Sequence, residues 1–292
     1  MRAPLILQTI LGFTAEDISA AFLVPAATMG QRLVRAKTRI RDAGIPFGVP
    51  DKGEVAERLE GVLDAIYAAY SKGWSEVGDA EAPALVEEAI WLGGLVVSLL
   101  PDEPEAKGML ALMLYAEARR SARRDATAAY VPFEQQDTTL WDLSQIAHAE
   151  RLLGDASQSG PTGRYQYEAA IQSAHTARRL TGVATWPIVL KLYDHLLAIT
   201  DSPVVVLNRA VALAEVVGAD AALSGPMASL GDDKRMLAYQ PYWAARGHLL
   251  ARVGRAREAA EALTVAMGLT ADEAVRAYLQ RQLAGVEQDS SP

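Results

Sequence analysis

The chain has 292 residues, 50% of them hydrophobic and 22% charged, a composition that supports a sizeable buried core and excludes a disordered or low-complexity chain. It has no cysteine, which rules out disulfides, thiolate nucleophiles and sulfur-ligated zinc and leads us to expect a reducing, cytoplasmic setting. The net charge of −8 is unevenly spread. Residues 1–45 hold six basic side chains (Arg2, Arg32, Arg35, Lys37, Arg39, Arg41) against Glu16, Asp17 and Asp42, a net of +3, and the remainder carries −11. A basic head can meet a polyanion that an acidic body would repel.

From the N-terminus, Leu5 to Leu11 is too short, and too broken by Gln8 and Thr9, to act as an export signal. Thr14 followed three residues later by Asp17 is a capping-box pattern opening a helix whose inner face is Ile18, Ala21 and Phe22. Leu23-Val24-Pro25 predicts a tight turn, and a second helix follows from Ala26 to about Arg41. That helix turns Met29, Leu33 and Ile40 inward and Thr28, Gln31, Arg32 and Arg35 elsewhere. Two short helices joined by a tight turn, the second one basic, form the helix-turn-helix pattern.

Two prolines and two glycines between Gly44 and Pro50 stop the basic helix and place a domain boundary at 48/49. Beyond it, an apolar period of three to four residues dominates and β-branched runs are short, so the chain reads as all-α. Stops fall at 73–82, 100–104, 154–163, 200–203, 218, 231–233 and 253–254. The most apolar segment, Ile90 to Leu100, is short for a membrane span and reads as a buried helix, with Gly93 and Gly94 explained by close packing. In the C-terminal third, Trp243, Gly247, Leu250, Ala259, Leu263 and Ala266, with Gly254 in the turn, match the offsets of a tetratricopeptide unit of about 34 residues. Trp186 to Ile199 and Val204 to Val217 give weaker copies. The expected organisation is a helix-turn-helix over 1–48, a helical extension over 49–182 and tetratricopeptide-like repeats over 183–292.

The residues offer little to an enzyme. His148, His175, His195 and His248 lie far apart without ligand spacing, and neither a glycine-rich phosphate loop after a strand nor a Gly-x-Ser-x-Gly elbow occurs, so no catalytic residue, metal or cofactor is expected. The densest polar constellation of the body is Arg119, Arg120, Arg123 and Arg124, followed by an acidic loop and Trp141. It reads either as a charged helix end with internal partners or as a site for an anion or partner peptide. In the head, arginines suit phosphates or guanine, and Gln31 suits adenine.

The run GFTAEDISAAFLVPAATMGQRLVRAKTRIRDAGIPF resembles the last DNA-binding domain, of the region 4 type, of extracytoplasmic-function RNA polymerase sigma factors, in the group where a tetratricopeptide-like extension follows. LLPDEPEAKGMLALMLYAEARRSARRDA, FEQQDTTLWD, YQYEAAIQSAH, TWPIVLKLYDHLL and SPVVVLNRAVALAEVVG extend the resemblance over nearly the whole chain. The resemblance implies a transcription regulator that partners promoter DNA and the polymerase core. Thr28, Gln31, Arg32 and Arg35 would lie on the upstream promoter element, and Lys37, Arg39 and Arg41 on phosphates or polymerase. It also implies that the family's N-terminal polymerase-docking domain is missing here, and that the extension regulates through a protein or peptide ligand, with no membrane partner. The alternative is a stand-alone interaction scaffold with a vestigial DNA-binding head.

Overall fold

The computed structural model describes residues 1–44, 52–75 and 82–289. The boundary expected at 48/49 lies outside the described residues. The protein is all-α: no strand occurs among the described residues, and a single isolated antiparallel bridge joins Arg124 to Tyr130.

Three helices form the head: α1 (Arg2–Thr9), α2 (Ala15–Phe22) and α3 (Ala26–Asp42). Thr14 caps α2 as its sequence requires, since the Asp17 amide donates to Thr14 Oγ1 at 3.2 Å and the Thr14 amide donates back to Asp17 Oδ2 at 2.8 Å. These bonds satisfy backbone donors that the first turn leaves open. Leu23 then adopts a left-handed conformation, φ 49°, and reverses the chain into α3. The head core is Leu7, Phe13, Ile18, Met29 and Leu33. Two expected core positions are corrected: Ala21 is exposed, because it faces away from α3, and Ile40 is 41% exposed, because α3 has by then run past α1 and α2.

The next helix, α4 (Lys52–Ser75), serves two cores. Ala65, Ala68 and Ala69 bring the head close on one side, while Leu59, Leu63, Ile66 and Tyr70 belong to the core of the body. The body continues with α5 (Ala82–Leu99) and α6 (Pro104–Glu117). Every residue of α6 from Gly108 to Tyr115 is buried, so this helix is the axis around which α4, α5, α7 (Leu143–Ala156) and α8 (Arg164–Thr181) pack. Between α6 and α7 the chain makes three short 3-10 turns, at Arg120–Ala122, Phe133–Gln135 and Thr138–Leu140.

The helix α5 departs from the expectation of burial. Gly93 does pack closely, since a Cβ there would lie 2.8 Å from Met113 Cε, but Trp91 and Leu99 are 64% and 69% exposed. One face meets α4 and α6 and the other is apolar and open. Among the described residues α5 is the helix long and apolar enough, by length and composition alone, to cross a membrane.

The C-terminal part consists of α9 (Trp186–Ile199), α10 (Pro203–Val216), the short α11 (Ala219–Ser224), α12 (Pro226–Ser229) and α13 (Lys234–Leu237), then α14 (Gln240–Arg252), α15 (Ala256–Leu269) and α16 (Glu273–Asp289). Prolines at the starts of α6, α9, α10, α12 and α14 sit in the first turn, where the missing N–H costs nothing. The close pair α14 and α15 depends on Gly247, where a Cβ would lie 2.8 Å from Leu263 Cγ.

Two stability predictions follow from this packing. At Gly108 a Cβ would lie 2.7 Å from the Gln166 amide nitrogen, whereas at Gly94 it would meet nothing within 4 Å. Both glycines are helical, so propensity alone favours alanine at each by about 1 kcal/mol. In urea titrations Gly94→Ala is expected to stabilise by about 0.5–1 kcal/mol and Gly108→Ala to destabilise by roughly 1–3 kcal/mol, because backbone cannot yield as a side chain does. The second concerns His175, wedged between Phe133 and Trp186 with ring centroids at 5.7 and 5.1 Å. Burial, reinforced by the Arg178 cation, pushes its imidazole down to about 4. The unfolded chain binds a proton below about 6.5 that the fold refuses until about 4. Stability therefore rises with pH across that window, by roughly 3 kcal/mol at about 1.4 kcal/mol per unit, and this contribution is flat above it. Urea titrations between pH 4.5 and 7 are expected to show a shallower rise in His175→Gln; equal slopes would refute the buried neutral imidazole.

Candidate nucleic-acid interface

The helix α3 carries Arg32, Arg35, Lys37, Arg39 and Arg41, against Asp42 alone. At about 100° per residue, Thr28, Gln31, Arg32, Arg35 and Arg39 share one face roughly 100° wide. Lys37 does not join them: it emerges close to the opposite side, near Arg41. Met29 and Leu33, each 1% exposed, anchor the buried flank, so the direction of the polar face is set by the head core. Gln31, Arg32, Arg35, Lys37 and Arg39 are exposed and Thr28 is half-buried. None of the cations Arg32, Arg35, Lys37 and Arg39 makes an ion pair with a described residue, while Arg41 pairs with Asp42 at 3.3 Å. Uncompensated cations on one side of a helix form a local positive field on a molecule of net negative charge.

The head is fixed to the body beneath this face. Lys72 of α4 donates to Asp17 Oδ1 at 3.0 Å and sits 5.8 Å from the centroid of the Phe13 ring. Burial works to raise the Asp17 carboxyl, but the hydrogen bonds from Thr14 and Lys72 outweigh it and hold it below its ordinary value. Arg2 donates to the Glu57 carbonyl, adding a tie between α1 and α4.

The second sequence-predicted cluster lies after α6. Arg119 donates to the Tyr115 carbonyl at 3.2 Å and to Gln172 Oε1 at 3.0 Å, and lies over Phe133 at 4.7 Å. Arg120 pairs with Glu117 at 2.7 Å, Arg123 donates to the Trp74 carbonyl at 2.8 Å, and both lie over the Trp74 ring, at 5.2 and 4.0 Å. Arg124 pairs with Asp272 of the α15–α16 junction and lies over Tyr130. Trp141 is 4% exposed and packs against Phe133. The structure thus gathers all four arginines into one region and gives each an internal contact, with a carboxylate on Arg120 and Arg124. Burial, with the charge of Arg123 beside it, brings the Arg119 guanidinium down to about 10.

Other polar groups come together without having been singled out in the sequence. Arg164 spans Glu168 at 2.9 Å and Asp64 at 3.2 Å, and Tyr165 donates its hydroxyl to Asp64 at 2.9 Å. Burial raises the Glu168 carboxyl against the opposing pull of Arg164. Glu105 accepts the first amides of α8, those of Tyr165 at 2.9 Å and Gln166 at 3.1 Å, capping that helix from another. Apart from the i,i+4 pair Arg164–Glu168, the sequence signal for these contacts is faint, because the partners are separated by 60 to 101 residues.

Residues 58–157, from within α4 through α7, match the model of a family of unknown function (DUF6596). An uncharacterized protein of Rhizobium meliloti (strain 1021) is 39% identical over 281 residues, which cover 96% of this chain and 66% of the relative. The chain therefore spans just under two thirds of the curated relative it matches. No solved structure matches it.

Proposed function

We propose that the protein is a transcription regulator of the sigma-factor type, in which α2, the Leu23-Val24-Pro25 turn and α3 form a helix-turn-helix that contacts the upstream promoter element. The observation that carries this reading is the face of α3. Four cations, at Arg32, Arg35, Lys37 and Arg39, lack an ion pair among the described residues, and two of them stand with Thr28 and Gln31 over the first three turns of a helix held from behind. Arginine and glutamine there can read guanine and adenine edges, while Lys37, Arg39 and Arg41 meet phosphates or the polymerase core. The paired helices α9–α10 and α14–α15 act as a tetratricopeptide-like stack, an arrangement favoured by the near contact of Gly247 with Leu263 and suited to a protein or peptide ligand. The action is cytoplasmic, non-enzymatic and independent of a membrane or cofactor.

One observation favours the scaffold reading beside it. Trp91, Leu95 and Leu99 follow one another at four-residue spacing on the open face of α5, and exposed apolar stripes of this kind mark contact surfaces. DNA binding separates the two readings. Selection from a pool of random duplexes is expected to enrich a consensus bound with an affinity that falls steeply with salt, by about 0.9 log units per phosphate contact per log unit of salt. Arg32→Ala with Arg35→Ala is expected to weaken that binding at least tenfold, each base contact being worth about 1–3 kcal/mol, while unfolding free energy stays within about 0.5 kcal/mol of the parent. Absence of binding at low salt would leave the scaffold reading in place.

A further inference from the structure

A cleft of 620 Å³ lies where the head meets the body. One side is the C-terminal end of α2, with Phe22 and Leu23, and the other is made by α8, α9 and the first turn of α10, with Tyr239 beyond. Its size falls within the range of about 300–1,000 Å³ typical of ligand sites.

The polar groups around the cleft have hydrogen bonds left to make. Ser202, the N-cap of α10, forms no side-chain capping bond and Pro203 has no N–H. Val206 is the first amide of that helix to bond backwards, to the Ser202 carbonyl at 3.2 Å, so the Val204 and Val205 amides at the cleft wall are open donors among the described residues. One turn further, the exposed Asn208 has no hydrogen-bond partner among the described residues. Tyr193 lies deep beside Glu168, its hydroxyl without a hydrogen-bond partner among the described residues yet not sealed off, and burial raises it well above the ordinary phenol value. Gln172 accepts from Arg119 through Oε1, which leaves its amide N–H groups unused.

The cations of the cleft, in contrast, are already matched. Arg164 is held by Glu168 and Asp64, and Arg235 is held by Asp233 at 2.6 Å. An anionic ligand such as a nucleotide would find no cation without an ion pair among the described lining residues, and a cationic one only the exposed Asp201 at the rim. Carboxamides, a phenol and open main-chain donors, spaced among Phe22, Leu112, Ile171 and Leu196, instead complement a chain that alternates amide groups with apolar side chains.

We propose that this cleft is a peptide site, taking a short extended segment of a partner protein through its backbone amides and one or two apolar side chains. The open amides of α10, Asn208, Gln172 and Tyr193 would hold the backbone. Phe22 and Leu23 are both cleft wall and part of the head, and Leu23 also packs against the core formed by α10 to α15. An occupant therefore changes the seat of the head, which makes the site regulatory; this last step rests on the DNA-binding reading above.

The test is selection of a phage-displayed random dodecapeptide library on the full chain, with counter-selection on Asn208→Trp, which fills the mouth of the cleft from an exposed position. Enriched peptides, synthesised with a fluorophore, are expected to bind at least tenfold more weakly to Asn208→Trp and several-fold more weakly to Tyr193→Phe, with both variants showing the parent's helical circular dichroism. Failure to enrich any peptide, or equal binding to the parent and to a folded Asn208→Trp, would overturn the site. Saturating peptide is expected to shift affinity for the selected duplex at least threefold. Cleft binding by a chain that binds no duplex at low salt would keep the peptide site and remove the DNA-binding reading. Duplex binding unmoved by a cleft-bound peptide would remove only the coupling.

Discussion

The position of every part of the molecule traces to α4, a single helix that is core to two units at once. Its alanines, Ala65, Ala68 and Ala69, let α1 and α2 approach closely, and its larger residues, Leu63, Ile66 and Tyr70, fill the body against α6. Small residues on one side and large ones on the other make the helix a hinge pin that neither unit can release without exposing apolar surface. The Lys72–Asp17 pair adds direction to that contact. Both side chains are only about a quarter exposed, so removing one would strand the other's charge in poorly hydrated surroundings. The capping carboxylate of α2 is thus also the anchor of the head, and the orientation of α3 follows from it.

The same helix carries the head's position onward into the arginine cluster. Tyr67, Tyr70 and Trp74 succeed one another along α4, with ring centroids 6.2 and 6.0 Å apart, and Arg120 and Arg123 lie over the last ring. Guanidinium groups stacked on indole keep their charge while giving up little packing, which explains how four arginines tolerate one neighbourhood with two carboxylates between them. Through Arg124 and Asp272 the cluster reaches the α15–α16 junction, and through Arg119 and Gln172 it reaches the cleft beside the head. It stands at the meeting point of the N-terminal and C-terminal halves.

Local features were legible in the sequence because their causes are local. The Thr14–Asp17 cap, the end of α3 at Asp42 and the polar face of α3 each depend on residues within a few positions of one another, and the structure places them as expected. Ile40 misled because periodicity assigns a face to a helix without saying where its neighbour ends. Burial of α5 misled for a related reason: an apolar composition shows that a helix has apolar surface, whereas the partner that covers it is a matter of tertiary arrangement. Glu168, Tyr193 and Asn208 were invisible as a group, since three helices must converge before they share a wall.

The left-handed Leu23 joins the head to the C-terminal body. A branched side chain at φ 49° costs about 1–2 kcal/mol that glycine would not, and the turn between α2 and α3 could have used glycine. What leucine provides is a side chain that crosses from the head to the core built by α10 to α15, at the rim of the cleft. The turn that aims α3 is therefore seated on the C-terminal body as well as on α4. A head held only by α4 would be indifferent to whatever the C-terminal helices bind. A head held by Leu23 as well shares a boundary with them, and any change in the cleft acts on the residue that sets the angle between α2 and α3.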